Sequence, residues 1–207
     1  MKYKIYGAPG SGSGIVEAAC AEIGVAYDIV DLDARNSEHR GDTYSLKNPH
    51  RKMPTLETED GEIITESVAI LLALDERHPE AQLLPPFGTK DRAQALRWMI
   101  FLGTELYPLI EMIDYPERFA ESGKSADDLR VRAEGMLKER WKIVESNIAG
   151  SPYCVATGFS ATDLFLVKLS VWLDEGWRRE HLPKIEVIIN KVRERPSLAE
   201  VWARHIR

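Results

Sequence analysis

Residues 2–32 read KYKIYGAPGSGSGIVEAACAEIGVAYDIVDL. Lys2–Gly7 predicts a short strand, and the glycine-rich turn Ala8–Gly14 follows it. Apolar residues then recur at helical spacing until Gly24, which ends the predicted helix. Tyr27–Leu32 predicts a second strand. A strand–helix–strand unit of this kind favours parallel pairing of the two strands, joined by a right-handed crossover.

The next segment adds an antiparallel pair of strands and a helix. Residues 35–51 are polar and irregular. Thr55–Glu59 and Glu62–Thr65 then flank Asp60-Gly61, a dipeptide that suits a two-residue hairpin turn because it tolerates positive φ. Apolar residues at helical spacing follow, until Pro79 closes the helix. The predicted order is therefore βαβ, a loop, and ββα.

A proline-rich connector, residues 79–88, separates this region from one without a convincing strand. The apolar patterns beyond it predict packed helices, at Thr89–Ile113, Ala126–Ile148, Asp163–Leu173, Leu182–Arg195 and Leu198–Ile206. We therefore predict an α/β domain at 1–78, a linker at 79–88 and an all-helical bundle at 89–207.

Composition excludes several classes of function. The 207 residues carry a net charge of −6 and show no basic run interleaved with aromatics, so nucleic acid is not an expected partner. No apolar stretch approaches the roughly 20 residues that span a bilayer, and the N-terminus lacks the layout of a signal peptide, which predicts a cytoplasmic protein. Cys20 and Cys154 form no CxxC pair, and the five histidines are scattered, so neither a disulfide framework nor a metal site is expected.

The glycine-rich turn is a candidate anion site. A Walker loop would need Lys where Ser13 stands, and a dinucleotide fingerprint would need Gly or Ala where Ile15 stands. Neither serine lies in a GxSxG elbow, because Pro9 and Ser11 occupy the first-glycine positions. What remains is Ser11 and Ser13 at a helix N-terminus, where an anion such as a thiolate is stabilised. From the loop alone, a serine that merely caps the helix is the simpler interpretation.

Three further motifs have structural explanations. Met53-Pro54 puts a proline just before a strand, and the base rate of about 5–6% cis favours a trans bond there. Thr65-Glu66-Ser67 reads as a Thr cap with an acidic first turn. Ser160 and Asp163 match a capping box, with Asp in place of Glu.

Cys20 lies on the apolar stripe of the first helix, where a buried packing thiol is expected.

The order of these motifs along essentially the whole chain resembles that of the cytosolic glutathione transferases. The resemblance implies a thioredoxin-like domain at 1–78 that binds glutathione and a helical domain at 89–207 that supplies a second-substrate pocket. It also implies glutathione as co-substrate, no metal, and a homodimer. Ser160 and Asp163 resemble the structural capping motif of the family.

The same resemblance assigns the sulfur site. Pro9-Gly10-Ser11 resembles the loop of serine-type members, whose hydroxyl hydrogen-bonds the glutathione sulfur. A shifted alignment, which matches the helix instead, makes Ser13 the catalytic residue. Tyr6 precedes the catalytic position of tyrosine-type members, which is Gly7 here, and is discounted.

It also assigns contacts for the rest of glutathione. Met53-Pro54 resembles the Val/Ile-cis-Pro element, whose first residue pairs its backbone with the cysteinyl part. Glu66 and Ser67 resemble the pair that holds the γ-glutamyl end, and Lys52, with Arg51 beside it, resembles the basic contact to the glycyl carboxylate.

The implied activity is that of a glutathione S-transferase of serine type, a detoxification enzyme that attacks a small hydrophobic electrophile. Its second-substrate pocket would be lined from the first long helix, by Trp98, Leu102, Glu105 and Tyr107, although packing alone also explains an apolar helix. The alternatives are a glutathione-dependent isomerase, peroxidase or ether-cleaving enzyme on this fold, or a non-catalytic binding protein. Thiol–disulfide exchange is disfavoured because no cysteine stands at the helix start.

Overall fold

The structure, a computed structural model, describes residues 2–121 and 123–206. The chain divides into two compact units. The sheet unit contains the residues up to Pro86 and those from Val192 onward, whereas the helical unit runs from Phe87 to Lys191. The first division thus falls inside the predicted linker, 79–88. The last part of the predicted helical domain, from Val192, belongs to the sheet unit instead.

The N-terminal part of the sheet unit has the predicted thioredoxin-like order of elements. Its strands and helices are β1 (Tyr3–Gly7), α1 (Ser13–Ile23), β2 (Tyr27–Asp31), α2 (Asp42–Ser45), β3 (Thr55–Glu57), β4 (Ile63–Thr65) and α3 (Ser67–Arg77). The segment predicted to be irregular contains α2 and one 3₁₀ turn, Glu38–Arg40. The hairpin turn holds Gly61 at φ 86°, but the Thr58 N–H donates to the Glu62 carbonyl at 2.9 Å, so three residues, 59–61, connect the strands and the predicted two-residue turn is wrong.

The four strands form one sheet in the order β2-β1-β3-β4. β1 pairs with β2 in parallel, as predicted, and the β1/β3 and β3/β4 pairs are antiparallel. In this register Tyr6 lies opposite Thr55, and Thr55 lies opposite Thr65. The segments that follow β1, precede β3 and follow β4 therefore leave the sheet at the same end.

Helices and a small aromatic cluster pack around this sheet. α1 packs against α3, and the core side chains with at most 1% exposure include Ile5, Ile15, Val16, Leu56, Ile70, Leu71 and Leu74. A second cluster joins Tyr6, Leu32 and Tyr44, with Met53 packed against it. Cys20 is buried, and burial raises the pKa of its thiol to about 12, in keeping with the predicted packing role.

The helical unit contains α4 (Lys90–Phe101), α5 (Tyr107–Asp114), α6 (Lys124–Asn147), α7 (Ala161–Ser170), α8 (Glu175–His181) and most of α9 (Pro183–Arg193). The predicted helix Thr89–Ile113 is interrupted between α4 and α5 by a π-helical turn, Leu102–Leu106. Pro108 has no N–H to donate to a backbone carbonyl one turn earlier, and the Thr104 hydroxyl donates to the Ile100 carbonyl at 2.9 Å. Both features disturb the i→i−4 hydrogen bonds of an α-helix and favour the wider i→i−5 spacing of a π-helical turn. α8 was not predicted.

The predicted capping box opens α7. The Asp163 carboxylate accepts hydrogen bonds from the backbone N–H of Ser160, at 2.8 Å, and of Cys154, at 2.7 Å. Every residue of α7 is buried, as its continuous apolar pattern predicts. The last helix, α10 (Ala199–His205), lies in the sheet unit.

Within residues 2–121 and 123–206, no helix is both long and apolar enough to cross a membrane. In the same ranges, no three His, Cys, Asp or Glu side chains are grouped so that they could hold a metal ion.

Gly7→Ala tests a close approach between β1 and the start of α1. A Cβ atom at Gly7 would lie 2.2 Å from both Cβ and Oγ of Ser13, so we expect unfolding in urea to show a loss of about 1–3 kcal/mol. Gly135→Ala in α6 is the matched control, because a Cβ there meets nothing within 4 Å and should stabilise the helix by about 0.5–1 kcal/mol. Equal effects of the two substitutions would contradict the close packing.

Candidate functional site

The turn after β1, which we call the serine loop (Ala8–Ser13), is held by its own hydrogen bonds. The Ser11 Oγ accepts from the backbone N–H groups of Ala8 and Ser13, each at 3.2 Å. Gly12 is the N-cap of α1 and contributes no side-chain bond. Ser11 therefore satisfies one amide at the helix start, the capping role predicted for a serine, although it is not the N-cap residue itself.

The two serines differ in access to solvent. Ser13 is 0% exposed, whereas Ser11 is partly exposed. The Ser13 hydroxyl donates to Glu17 Oε1 at 2.9 Å and lies 3.0 Å from the Ser11 Oγ. Of the two candidates, Ser11 alone has surface with which a ligand could make contact.

The second segment at this end of the sheet is the corner before β3. The Met53-Pro54 bond is cis, as the family resemblance implies and against the base rate for proline. The Lys52 carbonyl accepts from the Tyr44 hydroxyl at 2.8 Å and from the Asn48 side-chain amide at 2.7 Å. Since Tyr44 and Asn48 are both buried, the corner is fixed from beneath.

The two basic residues of this corner have different surroundings. Arg51 donates to the Arg40 carbonyl at 2.7 Å and to the Asp42 carboxylate at 3.0 Å, which ties its guanidinium to the start of α2. Lys52 lies exposed at the surface. These bonds use two of the five N–H donors of Arg51, and its side chain is 43% exposed, so its expected role in anion binding beside Lys52 stays a prediction.

The third segment is the entry to α3. Thr65 is the last residue of β4, so the predicted Thr cap is wrong, and Glu66 takes the N-cap position without a side-chain bond. Glu66 has φ 69° and ψ 117°, a strained backbone for a residue other than glycine and one that is typical of functional sites. Its side chain is 72% exposed, and its carboxylate lies 3.7 Å from Nδ1 of His50.

Ser67 follows as the first residue of α3 and is partly exposed. α3 has eleven residues, so its N-terminus offers unpaired N–H groups and the positive end of a helix dipole. This end of the sheet therefore combines two helix N-termini with two partly exposed hydroxyl residues, Ser11 and Ser67, an arrangement that suits a small peptide-like anion.

The four residues expected to line a second pocket lie in the helical unit, and two of them are core residues. Trp98 and Leu102 are fully buried, which corrects their assignment to a pocket. Glu105 is exposed and forms an ion pair with Arg140 at 3.2 Å. Tyr107 is partly exposed, and within the described residues its hydroxyl has no hydrogen-bond partner.

Sequence reasoning missed the buried partners of the serine loop. Glu17, four residues after Ser13, is an acid on an otherwise apolar stripe, and that spacing was the available signal. Arg204 and His205 contact the Glu17 carboxylate at 3.2 and 2.9 Å, and nothing in their local sequence indicates it.

Comparisons with known proteins agree with this architecture. A family model described as "Glutathione S-transferase, N-terminal domain" matches residues 5–82. The chain is similar to the uncharacterized GST-like protein YncG of Escherichia coli K12, with 30% identity over 98% of both chains. It is also similar to maleylacetoacetate isomerase of Dictyostelium discoideum, with 30% identity over 73% of this chain and 68% of that one.

A solved structure shares the fold over the full length. It is a glutathione transferase homolog from Sulfitobacter with bound glutathione, and it has a TM-score of 0.91 and 27% identity. The match covers 100% of this chain and 99% of that one.

Glu66→Gly tests the strain at the entry to α3. Glycine adopts φ 69° freely, so we expect chemical denaturation to show a gain of about 1 kcal/mol over the natural chain. Glu66→Ala is the control: it removes the same carboxylate but keeps a Cβ, and should show no such gain. A gain of equal size in both variants would assign the effect to the charge and not to the backbone.

Proposed function

The chain belongs to the glutathione S-transferase family, and we propose that it binds glutathione at the end of the sheet where the serine loop, Met53-Pro54 and Glu66-Ser67 meet. In this proposal the bound sulfur is held as a thiolate and attacks a small hydrophobic electrophile. A carbon–sulfur bond forms, and either a leaving group departs with its electron pair or the added electrophile takes up a proton from solvent. The observation that supports this proposal most directly is the strand register, which brings these three segments to one end of the sheet.

Ser11 is the proposed catalytic residue. A free thiol has a pKa of about 8.5, so most of it is protonated at neutral pH. A hydroxyl that donates to the sulfur, beside the N-terminus of α1, stabilises the thiolate, and each unit of pKa lowering corresponds to about 1.4 kcal/mol. Ser13 is assigned no contact with the sulfur, because it is buried and donates its proton to Glu17.

The other contacts follow the family pattern. We assign the Met53 backbone to the cysteinyl part of glutathione, Glu66 and Ser67 to the γ-glutamyl end, and Lys52 to the glycyl carboxylate. The α3 N-terminus supports the second assignment, because its N–H groups attract the carboxylate of the γ-glutamyl end while Glu66 attracts the amino group. The exposed position of Lys52 supports the third.

The electrophile is less defined than the nucleophile. Glu105 and Tyr107 remain the candidates for contact with it, since both have exposed surface. The Tyr107 hydroxyl is itself buried, which raises the pKa of the phenol, so a contact with the electrophile would involve the exposed atoms of this residue and not its hydroxyl. The homodimer and the cytoplasmic location that the family resemblance implies stay predictions.

A second candidate function is glutathione-dependent isomerisation. It is favoured by the similarity to a maleylacetoacetate isomerase, at 30% identity over 73% of this chain. An isomerase would use the same thiolate in a reversible addition, so glutathione would be regenerated and not consumed. Measuring glutathione during turnover separates the two: transfer consumes one molecule per product, and isomerisation consumes none.

Ser11→Ala tests the assignment of the thiolate donor. We expect calorimetry to show glutathione binding to the natural chain, with ultraviolet absorbance of the thiolate at neutral pH. Ser11→Ala should keep binding but lose thiolate, with turnover reduced by about 10–100-fold, the range for one hydrogen bond to a charged group. Ser13→Ala is the matched control and should have the smaller effect. A larger effect of Ser13→Ala would move the role to that residue, and binding without thiolate would favour a carrier.

Glu66→Ala and Ser67→Ala test the γ-glutamyl contact. Each removes one polar partner of the ligand, so we expect glutathione affinity to fall about tenfold with little change in stability. Glu59→Ala, which removes an exposed acid from the β3–β4 turn, should leave affinity unchanged. Affinity equal to that of the natural chain in both test variants would contradict the assigned contact.

A further inference from the structure

α1 carries a buried carboxylate that the proposed reaction does not use. Glu17 is 1% exposed, and it accepts the hydroxyl proton of Ser13 at 2.9 Å. Its oxygens lie 3.2 Å from Nε of Arg204 and 2.9 Å from Nε2 of His205, although neither nitrogen is aligned for a hydrogen bond. These contacts are therefore mainly electrostatic. A carboxylate at this depth is costly without a nearby positive charge.

We call Glu17, Arg204 and His205 the α10 clamp, because two of the three residues lie in α10. A Cβ atom added at Gly14 would lie 2.8 Å from the His205 ring, so α10 rests directly on the first turn of α1. Arg204 also forms an ion pair with Asp31, the last residue of β2. Arg204 thus bridges two acidic residues of the sheet unit.

The clamp reaches the proposed sulfur site through two hydroxyls. Ser13 Oγ lies 2.9 Å from the Glu17 carboxylate and 3.0 Å from Ser11 Oγ. Ser11 already accepts from two backbone N–H groups, so its remaining capacity is that of a donor. Because Ser13 donates its own proton to the carboxylate, it can accept the single proton of Ser11, which turns to the sulfur in the proposed complex. The charge of the carboxylate also lies close enough to disfavour a thiolate there.

We propose that Arg204 is a positioning residue for the thiolate: its guanidinium neutralises Glu17, so that this buried carboxylate does not repel negative charge at Ser11. The C-terminal helix thereby sets the ionisation of a thiol bound at the serine loop. This inference rests on the proposed function, because it gives a role to the electrostatic potential at Ser11.

The other titratable groups near Glu17 do not neutralise its negative charge. Burial raises the pKa of Cys20 to about 12 and, with a smaller contribution from Glu17, the pKa of Tyr27, so both are neutral at neutral pH. Glu200 of α10 and Asp31 add negative charge to this region, and Asp31 pairs with Arg204. Arg204 and His205 are the basic side chains in contact with the carboxylate.

The test uses a thiol that belongs to the protein, so it does not require glutathione. Ser11→Cys places a thiol at the position of the Ser11 hydroxyl, and its pKa is measured from the rate of alkylation by iodoacetamide as a function of pH. Cys20 and Cys154 are buried, and burial raises the pKa of both, so the chain without Ser11→Cys gives the background rate.

Two substitutions in this background should act in opposite directions. Arg204→Gln leaves the carboxylate uncompensated, so the pKa of the introduced thiol should rise by about one unit and alkylation at neutral pH should slow about tenfold. Glu17→Gln leaves the positive charge and should lower the pKa. The double variant should return it close to the starting value, and Arg204→Lys, which keeps the charge, should shift it less than Arg204→Gln.

Arg195→Gln is the matched control. Arg195 pairs with Glu22 at 2.6 Å, so it links the same C-terminal segment to the far end of α1, away from the serines. It should leave the pKa of the introduced thiol unchanged. Two outcomes would overturn the proposal: equal shifts of this pKa in Arg195→Gln and Arg204→Gln, or shifts in the same direction in Glu17→Gln and Arg204→Gln. Either outcome is expected if the substitutions act only by disturbing the local structure.

Failure of the proposed function gives a different result. If the natural chain shows no binding in a calorimetric titration with glutathione, the assigned activity is wrong, whereas the opposite shifts of the two substitutions would still be measured on the introduced thiol.

Discussion

Strand pairing between β1, β3 and β4 is the constraint on which the proposed site depends. Because Tyr6, Thr55 and Thr65 lie side by side, three segments far apart in sequence leave the sheet at one end. Each contributes something different: the serine loop a hydroxyl, the Met53-Pro54 corner an exposed turn of backbone, and α3 a helix N-terminus. A slip of one residue in either pairing would turn these segments to opposite faces and disperse the site.

The chemistry at this end of the sheet is a balance of charges. The N-termini of α1 and α3 favour an anion, whereas the buried carboxylate of Glu17 opposes one. Burial separates two serines that are otherwise equivalent, since Ser13 faces Glu17 and Ser11 faces outward. In the proposed site, the thiolate therefore depends on residues that do not touch the ligand, among them Arg204, which is far from both serines in sequence.

Arg204 and its neighbours reach Glu17 because the C-terminal segment of the chain packs within the sheet unit. From Val192 onward the chain belongs to that unit, and Leu198, Val201 and Trp202 are buried there. Apolar burial thus fixes the C-terminal segment, and ion pairs to Glu22 and Glu17 of α1 and to Asp31 of β2 set its register. The compact units consequently do not coincide with two consecutive stretches of sequence.

The sequence by itself determined the strands, most of the long helices and their order, together with the capping box and the place of the hairpin, because hydrophobic period, caps and Asp-Gly turns are local properties. It missed the short helices α2 and α8. Resemblance to a family added the candidate site residues. Only the tertiary structure decided that Ser13 is buried, that Arg51 is tied to Asp42, that Trp98 and Leu102 are core residues, and that Arg204 meets Glu17. These facts depend on which side chains meet after folding, and no local pattern encodes burial by a remote segment or a contact such as that between Glu17 and Arg204.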